Sequence, residues 1–343
     1  MKQKNIIAIL LAGMLVAGEV SSLAQGNNPE PFLGMWALTL DYEDNTAGWL
    51  EVIQEEGYLD SELLWRWGSV YPVDFTFVNG NQLFLVHGRD VVRERDPEGN
   101  PVRTTHPVEY HEISVSGNTL DGWAFYPNSN GVGVTSVHFT GKRIPPIENA
   151  PDLEKVKFGT PVALFNGEDL EGWELVNPHT TNGWKVVDGN LVNDPVQHEG
   201  TAHINYGNLR TTDTYTDFNL KVEVNVPAGS NSGIYLRGIY EIQVMDSYGK
   251  ALDPYNMGAL FSRITPLVAA EKPAGEWQQL DITLCQRHLT VILNGKKIID
   301  NQPVKGVTGG ALTSDDFSPG PIYLQGDHGK VSFRNMVLTP VEK

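Results

Sequence analysis

The stretch "LDITLCQRHLTVILNGKKIID" (280–300) alternates apolar and polar residues on both sides of a short polar break. It then runs into Asn294-Gly295. Alternation with a period of two places every second side chain on the same face, which is the mark of a half-buried strand. Asn-Gly favours a tight hairpin because both turn residues take positive φ. The stretch therefore reads as antiparallel strands in succession. Cys285 falls within it and is the only cysteine of the chain. A lone cysteine forms no intrachain disulfide and no thiolate zinc site. At that strand position it reads as a small core residue.

The same pattern recurs on either side. "GMWALTLDY" (34–42), "VDFTFVNGNQLFLVHG" (73–88), "FNLKVEVNV" (218–226) and "VSFRNMVL" (331–338) are short alternating runs bounded by Gly, Asn, Asp and Pro. "FVNGNQLF" repeats the Asn-Gly signal, and "GWKVVDGNLV" (183–192) adds Asp-Gly. No stretch has sustained helical periodicity, and no repeat of solenoid type is present. The chain is all-β, of the sandwich or barrel kind.

A change of composition divides it. "RIPPIENAPDLEKVKFGTP" (143–161) holds four prolines and several charges with little alternation. It reads as a linker between a small all-β domain at 27–142 and a larger one at 162–343. The small domain opens with "FLGMW" (32–36) and closes with "VTSVHFTGKR" (134–143), which weakly resembles small lipocalin-like barrels. Trp36, Trp49, Trp65, Trp67 and Trp123 are concentrated there. Indole rings stack on sugars, but packing within a small barrel explains them more economically.

At the start, two lysines, the apolar run "IIAILLAGMLVAG" and small residues around Ala24 have the layout of a secretory signal peptide at 1–24. The run is too short and interrupted for a good membrane span, no lipid-anchor cysteine follows it, and no later segment resembles a transmembrane helix. A periplasmic or secreted location is expected. Cleavage moves the net charge from −17 to about −18. So acidic a chain repels phosphate backbones, which excludes nucleic acid as a partner and leaves neutral sugars and cations open. Oligomeric state is not encoded in any pattern found.

Two stretches carry candidate chemistry. In "NSGIYLRGIYEIQVMDSYGK" (231–250), Tyr240, Ile242 and Val244 share one face of a strand. Glu241 and Gln243 share the other, with Arg237 if Gly238 does not reset the register. Asp246 lies at the strand end, and Asn231 and Ser232 precede the strand. These polar residues are either a solvated face or a site. In "PGPIYLQGDHGKVSFRNMVL" (319–338), a turn between two glycines presents Asp327 and His328 just after Gln325. A histidine titrates near neutrality and serves as a base. No zinc-protease helix motif, nucleophile elbow, phosphate-binding loop, dinucleotide fingerprint or EF-hand loop is present.

Taken in order, "LFNGEDLEGW" (164–173), "GWKVVDGNLV", "DFNLKVEVNVPAGSNSGIYLRG" (217–238), "YEIQVMDSYG" (240–249), "GALF" (258–261), "KPAGEWQQLDITL" (272–284), "VILNGKKI" (291–298) and the 319–338 stretch resemble the 3-keto-disaccharide hydrolase family. The match covers roughly 161–340. Two departures stand out. "RGIYE" is short where the family has a fuller segment, and Gln278 replaces the Asn usual after Trp277.

The resemblance implies a concanavalin-like jelly roll with its site on the concave sheet. It implies an exported enzyme that cleaves 3-keto-glycosides by abstraction of the C2 proton, β-elimination and hydration. On that basis Glu241, His328 and Arg237 are catalytic candidates. Asn231, Ser232, Gln243 and Gln325 are substrate-binding candidates. Asp246 and Glu241 are candidate ligands for a divalent cation such as Ca2+. Glu241 or His328 is the base, and Arg237 or the cation stabilises the enolate. Two other readings stay open: a non-catalytic lectin-like glycan binder, and a conventional glycoside hydrolase using Glu241 and Asp246.

Overall fold

The computed structural model describes residues 27–342 apart from Asn45 and Glu199, and the leader read at 1–24 lies outside the described residues. The described chain is all-β, a closed barrel followed by a jelly-roll sandwich.

The barrel strands are Gly34–Leu40, Ala47–Glu55, Tyr58–Trp65, Phe75–Asn79, Gln82–Gly88, Val108–Ser116, Thr119–Pro127 and Val134–Ile144. Each pairs antiparallel with the next, and the last returns to the first with Met35 opposite Ile144. Closure leaves no long free edge for another strand to add to. Alternation divides the side chains. Trp36, Leu38, Leu40, Leu50 and Val52 fill the barrel with Phe139. Met35, Ala47, Trp49, Leu64 and Ile144 point outward and join the sandwich core instead.

The sandwich has two sheets. The larger runs, in spatial order, Trp184–Val187, Asn190–Asn193, Val331–Pro340, Phe218–Asn225, Trp277–Cys285, His288–Leu293 and Lys296–Pro303, with Val162–Ala163 added to Val331–Pro340. The stretch at 280–300 thus forms its three-strand end. Cys285 is buried there, and burial pushes its thiol up to about 11, so it stays protonated. The smaller sheet runs Trp173–Leu175, Leu209–Thr211, Tyr323–Leu324, Asn231–Leu236 and Tyr240–Met245. Leu220, Val222 and Val224 of the large sheet meet Ile234, Leu236, Ile242 and Val244 of the small one in the core.

The connection at 145–161 is tied to the sandwich. Pro145 O accepts from the Arg287 guanidinium (3.1 Å) and Pro151 O from Asn301 Nδ2 (2.8 Å). Lys157 O accepts from the Glu342 N–H (2.8 Å). Barrel and sandwich also touch directly. Trp49 is fully buried between them, and its indole N–H donates to Lys305 O (2.9 Å). The Arg263 guanidinium lies 4.2 Å from its ring centre. The Val70 N–H donates to Ser262 Oγ (3.1 Å), and Lys305 Nζ pairs with Glu51 (2.8 Å). The two domains share one core across this seam.

Inside the barrel, His111 is buried between Trp65 and Phe139, with ring centres 4.8 and 5.9 Å away. Burial, and to a smaller extent His87, pulls its pKa down to about 4. The folded state therefore excludes a proton that the unfolded chain takes up below about pH 6.5. Stability is complete above that pH and falls as pH drops toward 4, by on the order of 1 kcal/mol per pH unit at its steepest. Denaturant midpoints measured from pH 7 to pH 4 should fall more steeply in the native chain than in His111→Gln. Parallel curves would show that His111 does not carry this dependence.

Candidate active site

The hairpin Asn231–Leu236/Tyr240–Met245 forms the floor of the concave face. Its turn is made by Arg237 and Gly238, both at positive φ (56° and 67°), and is closed by the Ile239 N–H to Leu236 O. The ladder sets Tyr235 opposite Glu241 and Gly233 opposite Gln243. Opposed residues of an antiparallel pair share a face. Ile234, Leu236, Ile242 and Val244 go to the core, while Asn231, Tyr235 and Glu241 meet at a cavity of about 200 Å3.

Gly233 makes room for the carboxylate. A Cβ there would lie 2.5 Å from Glu241 Oε1. Tyr235 carries the other carboxyl oxygen. Its hydroxyl lies 2.9 Å from Glu241 Oε2 and 2.8 Å from Gly309 O. Tyr323, on the neighbouring strand, stacks on Tyr235 with ring centres 4.2 Å apart and takes a hydrogen bond from Asn208 Nδ2 (2.7 Å).

The second wall is the turn after Tyr323–Leu324. The Gln325 N–H donates to Gly233 O (3.0 Å), and Ser232 Oγ donates to Gln325 O (2.8 Å). Asn193 Nδ2 bridges Gly326 O and Gly329 O (2.9 and 3.1 Å). So held, the turn presents Gln325, Asp327 and His328 to the cavity. His328 Nδ1 lies 2.7 Å from Asp327 Oδ1. This leaves Nε2 as the nitrogen free for other chemistry, the arrangement in which a carboxylate orients a histidine base.

Two charge states follow from these surroundings. Burial pushes Glu241 up to about 8, against the Tyr235 hydrogen bond and the His328 charge that favour the carboxylate. At neutral pH the carboxyl is mostly protonated. A protonated Glu241 donates to the Tyr235 hydroxyl, which in turn donates its own hydrogen bond to Gly309 O, and the two short distances fit that arrangement. His328 is held above its ordinary value, first by the hydrogen bond it donates to Asp327 and, against its burial, by the Asp327 charge. Asn231 Oδ1 and Gln325 Oε1 are buried without a protein partner. Buried acceptors of this kind call for a donor, which sugar hydroxyls supply.

Of the residues singled out in the sequence, Asn231, Glu241, Gln325 and His328 converge on the cavity. Asp327 lines it as well, whereas Arg237, Ser232, Gln243 and Asp246 do not. Arg237 sits in the turn, so Gly238 does reset the register. Its guanidinium donates to Ser318 O (3.2 and 2.5 Å), away from any enolate at Glu241. Ser232 acts behind the site, holding Gln325. Gln243 is covered by the segment around Gly258 and Ala259, which pairs with its backbone, and its Oε1 accepts from the Val244 N–H (2.9 Å). Asp246 accepts from the Gly229 N–H (3.0 Å) at the end of the strand.

A cation site built on Glu241 and Asp246 therefore lacks its second ligand. Among the described residues no group of three or more His, Cys, Asp or Glu is spaced to hold a metal ion. No step below runs through a cation.

Sequence reasoning missed Tyr235, Tyr323, Asn208, Gly309 and Phe261, all of which line the cavity, and took Trp67, which lines it too, for barrel packing. Tyr235 was within reach once Arg237-Gly238 is taken as a turn, since the register then places it opposite Glu241. Tyr323 precedes Gln325 by two residues. Asn208, Gly309 and Trp67 arrive from distant segments, and nothing local separates Trp67 from the other indoles of the first domain.

The chain is similar to several solved structures. One, from Parabacteroides distasonis and provisionally described as a glycosyl hydrolase, is 28% identical with TM-score 0.43, over 57% of this chain and 92% of its own. A second from that organism, described likewise, is 22% identical with TM-score 0.44, over 53% and 94%. The β-glucanase of Bacillus licheniformis is 12% identical with TM-score 0.35, over 54% and 97%. No curated protein sequence matches the chain. The model of the 3-keto-alpha-glucoside-1,2-lyase-like domain matches residues 160–339, so the sandwich that carries this cavity places the chain in that family.

Proposed function

We propose that the protein cleaves 3-keto-glycosides by elimination and hydration, with His328 as base and Glu241 as acid. The observation that carries this reading is the pairing in one cavity of a histidine oriented by a carboxylate with a carboxyl that keeps its proton to about pH 8. Family membership supports the substrate class.

The ketone at C3 acidifies the hydrogen on C2. His328 Nε2 takes that proton, with Asp327 stabilising the imidazolium that forms. The electron pair closes a C1–C2 double bond conjugated with the ketone, and the C1–O bond breaks. Glu241 gives its proton to the departing oxygen, and Tyr235 turns its hydroxyl from Gly309 O to the new carboxylate. Water then adds across the double bond, its oxygen to C1 and a proton to C2, releasing the 3-keto sugar. The carboxamide oxygens of Asn231 and Gln325 accept from the sugar hydroxyls and so hold the ring.

A conventional glycosidase needs two carboxyl groups flanking the bond. Here the second carboxylate at the cavity is Asp327, and it is engaged with His328. A purely lectin-like role leaves the raised Glu241 pKa without a use. On the same proposal, the leader read at 1–24 takes this chemistry outside the cytoplasm.

The assay compares a 3-keto-glucoside with its unoxidised parent. Release from the keto form alone is expected; release from both would point to an ordinary glycosidase, and binding without release to a lectin. Glu241→Gln and His328→Ala should each lower kcat by about 100-fold or more, as removal of a general acid or base does. Full activity in both variants would refute the assignment.

The pH profile of kcat/KM should be bell-shaped. Its lower limb reports deprotonation of His328, above the ordinary 6.5, and its upper limb the loss of the Glu241 proton near 8. The Tyr235 hydrogen bond favours the carboxylate. Tyr235→Phe should therefore move the upper limb to higher pH. An upper limb that stays in place, or moves down, would sever Tyr235 from Glu241.

A further inference from the structure

The cavity has one wall that does not belong to the sandwich. Trp67 and Gly68, from the barrel, line it with Glu241 and His328. Trp67 follows the strand Tyr58–Trp65 and is 54% exposed, unusual for so large an apolar ring.

Its position is nonetheless fixed. Gly68 packs on Gly309 so closely that a Cβ on Gly309 would lie 2.0 Å from Gly68 O. The Gly310 N–H donates to Arg66 O (3.3 Å). Arg66 lies over the Tyr42 ring at 3.9 Å and 5.7 Å from the centre of the Trp67 ring, and pairs with Asp44. On the far side Ser69 Oγ accepts from the Tyr255 hydroxyl (3.0 Å), and Tyr255 packs on Phe261, another residue of the cavity wall (5.4 Å). The loop is pinned to the sandwich before and after Trp67, so the indole is exposed without being loose. Order of this kind lowers the entropy lost on binding.

We propose that Trp67 forms a second sugar subsite, on which the departing ring of a disaccharide stacks while the 3-keto ring occupies the cavity. The inference rests on the glycoside-cleaving reading above. Volume argues for two places. The cavity holds about 200 Å3, less than the roughly 300 Å3 at which pockets begin to enclose whole drug-sized ligands. One sugar ring fits inside, and its neighbour is left at the mouth, beside Trp67. Chemistry argues for the occupant. A pyranose offers a face of C–H groups, and an indole offers a broad, rigid, apolar plane for it. The barrel thereby selects disaccharides over glycosides with small aglycones, and the first domain becomes part of the binding site.

The test uses the full chain and two probes, the 3-ketone of α,α-trehalose and methyl 3-keto-α-glucoside. Trp67→Ala should raise KM for the disaccharide about tenfold, the loss of one good aromatic contact. Its kcat should change little, and the effect on the methyl glycoside should be markedly smaller. Trp67→Phe should recover most of the loss. Trp123→Ala is the control, since Trp123 is also exposed but packs on His138 and does not line the cavity. Equal losses on both probes, or none on either, would overturn the subsite while leaving the elimination reading intact. If the native chain cleaves neither probe, that reading fails separately and calorimetry decides the subsite. Binding of unoxidised trehalose that weakens about tenfold in Trp67→Ala retains it. Equal binding, or none by the native chain, removes it.

Discussion

A carboxyl group buried on the concave sheet, with a tyrosine hydroxyl as its hydrogen-bond partner, sets the terms for the rest of this site. Glu241 is nearly inaccessible, and an isolated carboxylate in that position is costly. The fold meets that cost by leaving the proton on the carboxyl at neutral pH and by placing Tyr235 against it. Gly233 opens the space, Tyr323 backs the tyrosine, and Gly309 O accepts the hydrogen bond of its hydroxyl.

The same chain of contacts runs into the barrel. Gly309, which receives the Tyr235 hydroxyl, is pressed against Gly68. Trp49 plugs the seam below, and the outward residues of the barrel strands complete the sandwich core. An eight-stranded barrel that merely sat beside the sandwich would need no such fit. Here its outer face is buried, and one of its loops stands at the mouth of the cavity.

Much of the fold was legible because alternation and turn chemistry are local. Asn-Gly at 294–295 and Asp-Gly at 188–189 both close hairpins in the structure. Of the candidate site, the part that could be read was the part on one strand or one turn: Glu241, Gln325, His328 and Asn231. Arg237 shows the limit. Its neighbours alternate, yet positive φ at Arg237 and Gly238 ends the strand before the alternation reaches it. Gln243 shows another. It shares a face with Glu241, but a segment fifteen residues later covers it.

The five indoles of the first domain mark the same boundary. Trp36 and Trp49 are buried, on opposite sides of the barrel wall, whereas Trp67 and Trp123 are exposed. Composition does not separate them, because burial depends on what the rest of the chain packs against each ring. The sequence by itself determined an all-β chain, its family and the strand that carries Glu241, since periodicity, turn residues and motif order are written along the backbone. Only the tertiary structure decided that Glu241 keeps its proton, that Asp246 and Arg237 stand apart from it, and that a tryptophan from the other domain faces the site. Desolvation and contact between distant segments exist only once the chain has folded.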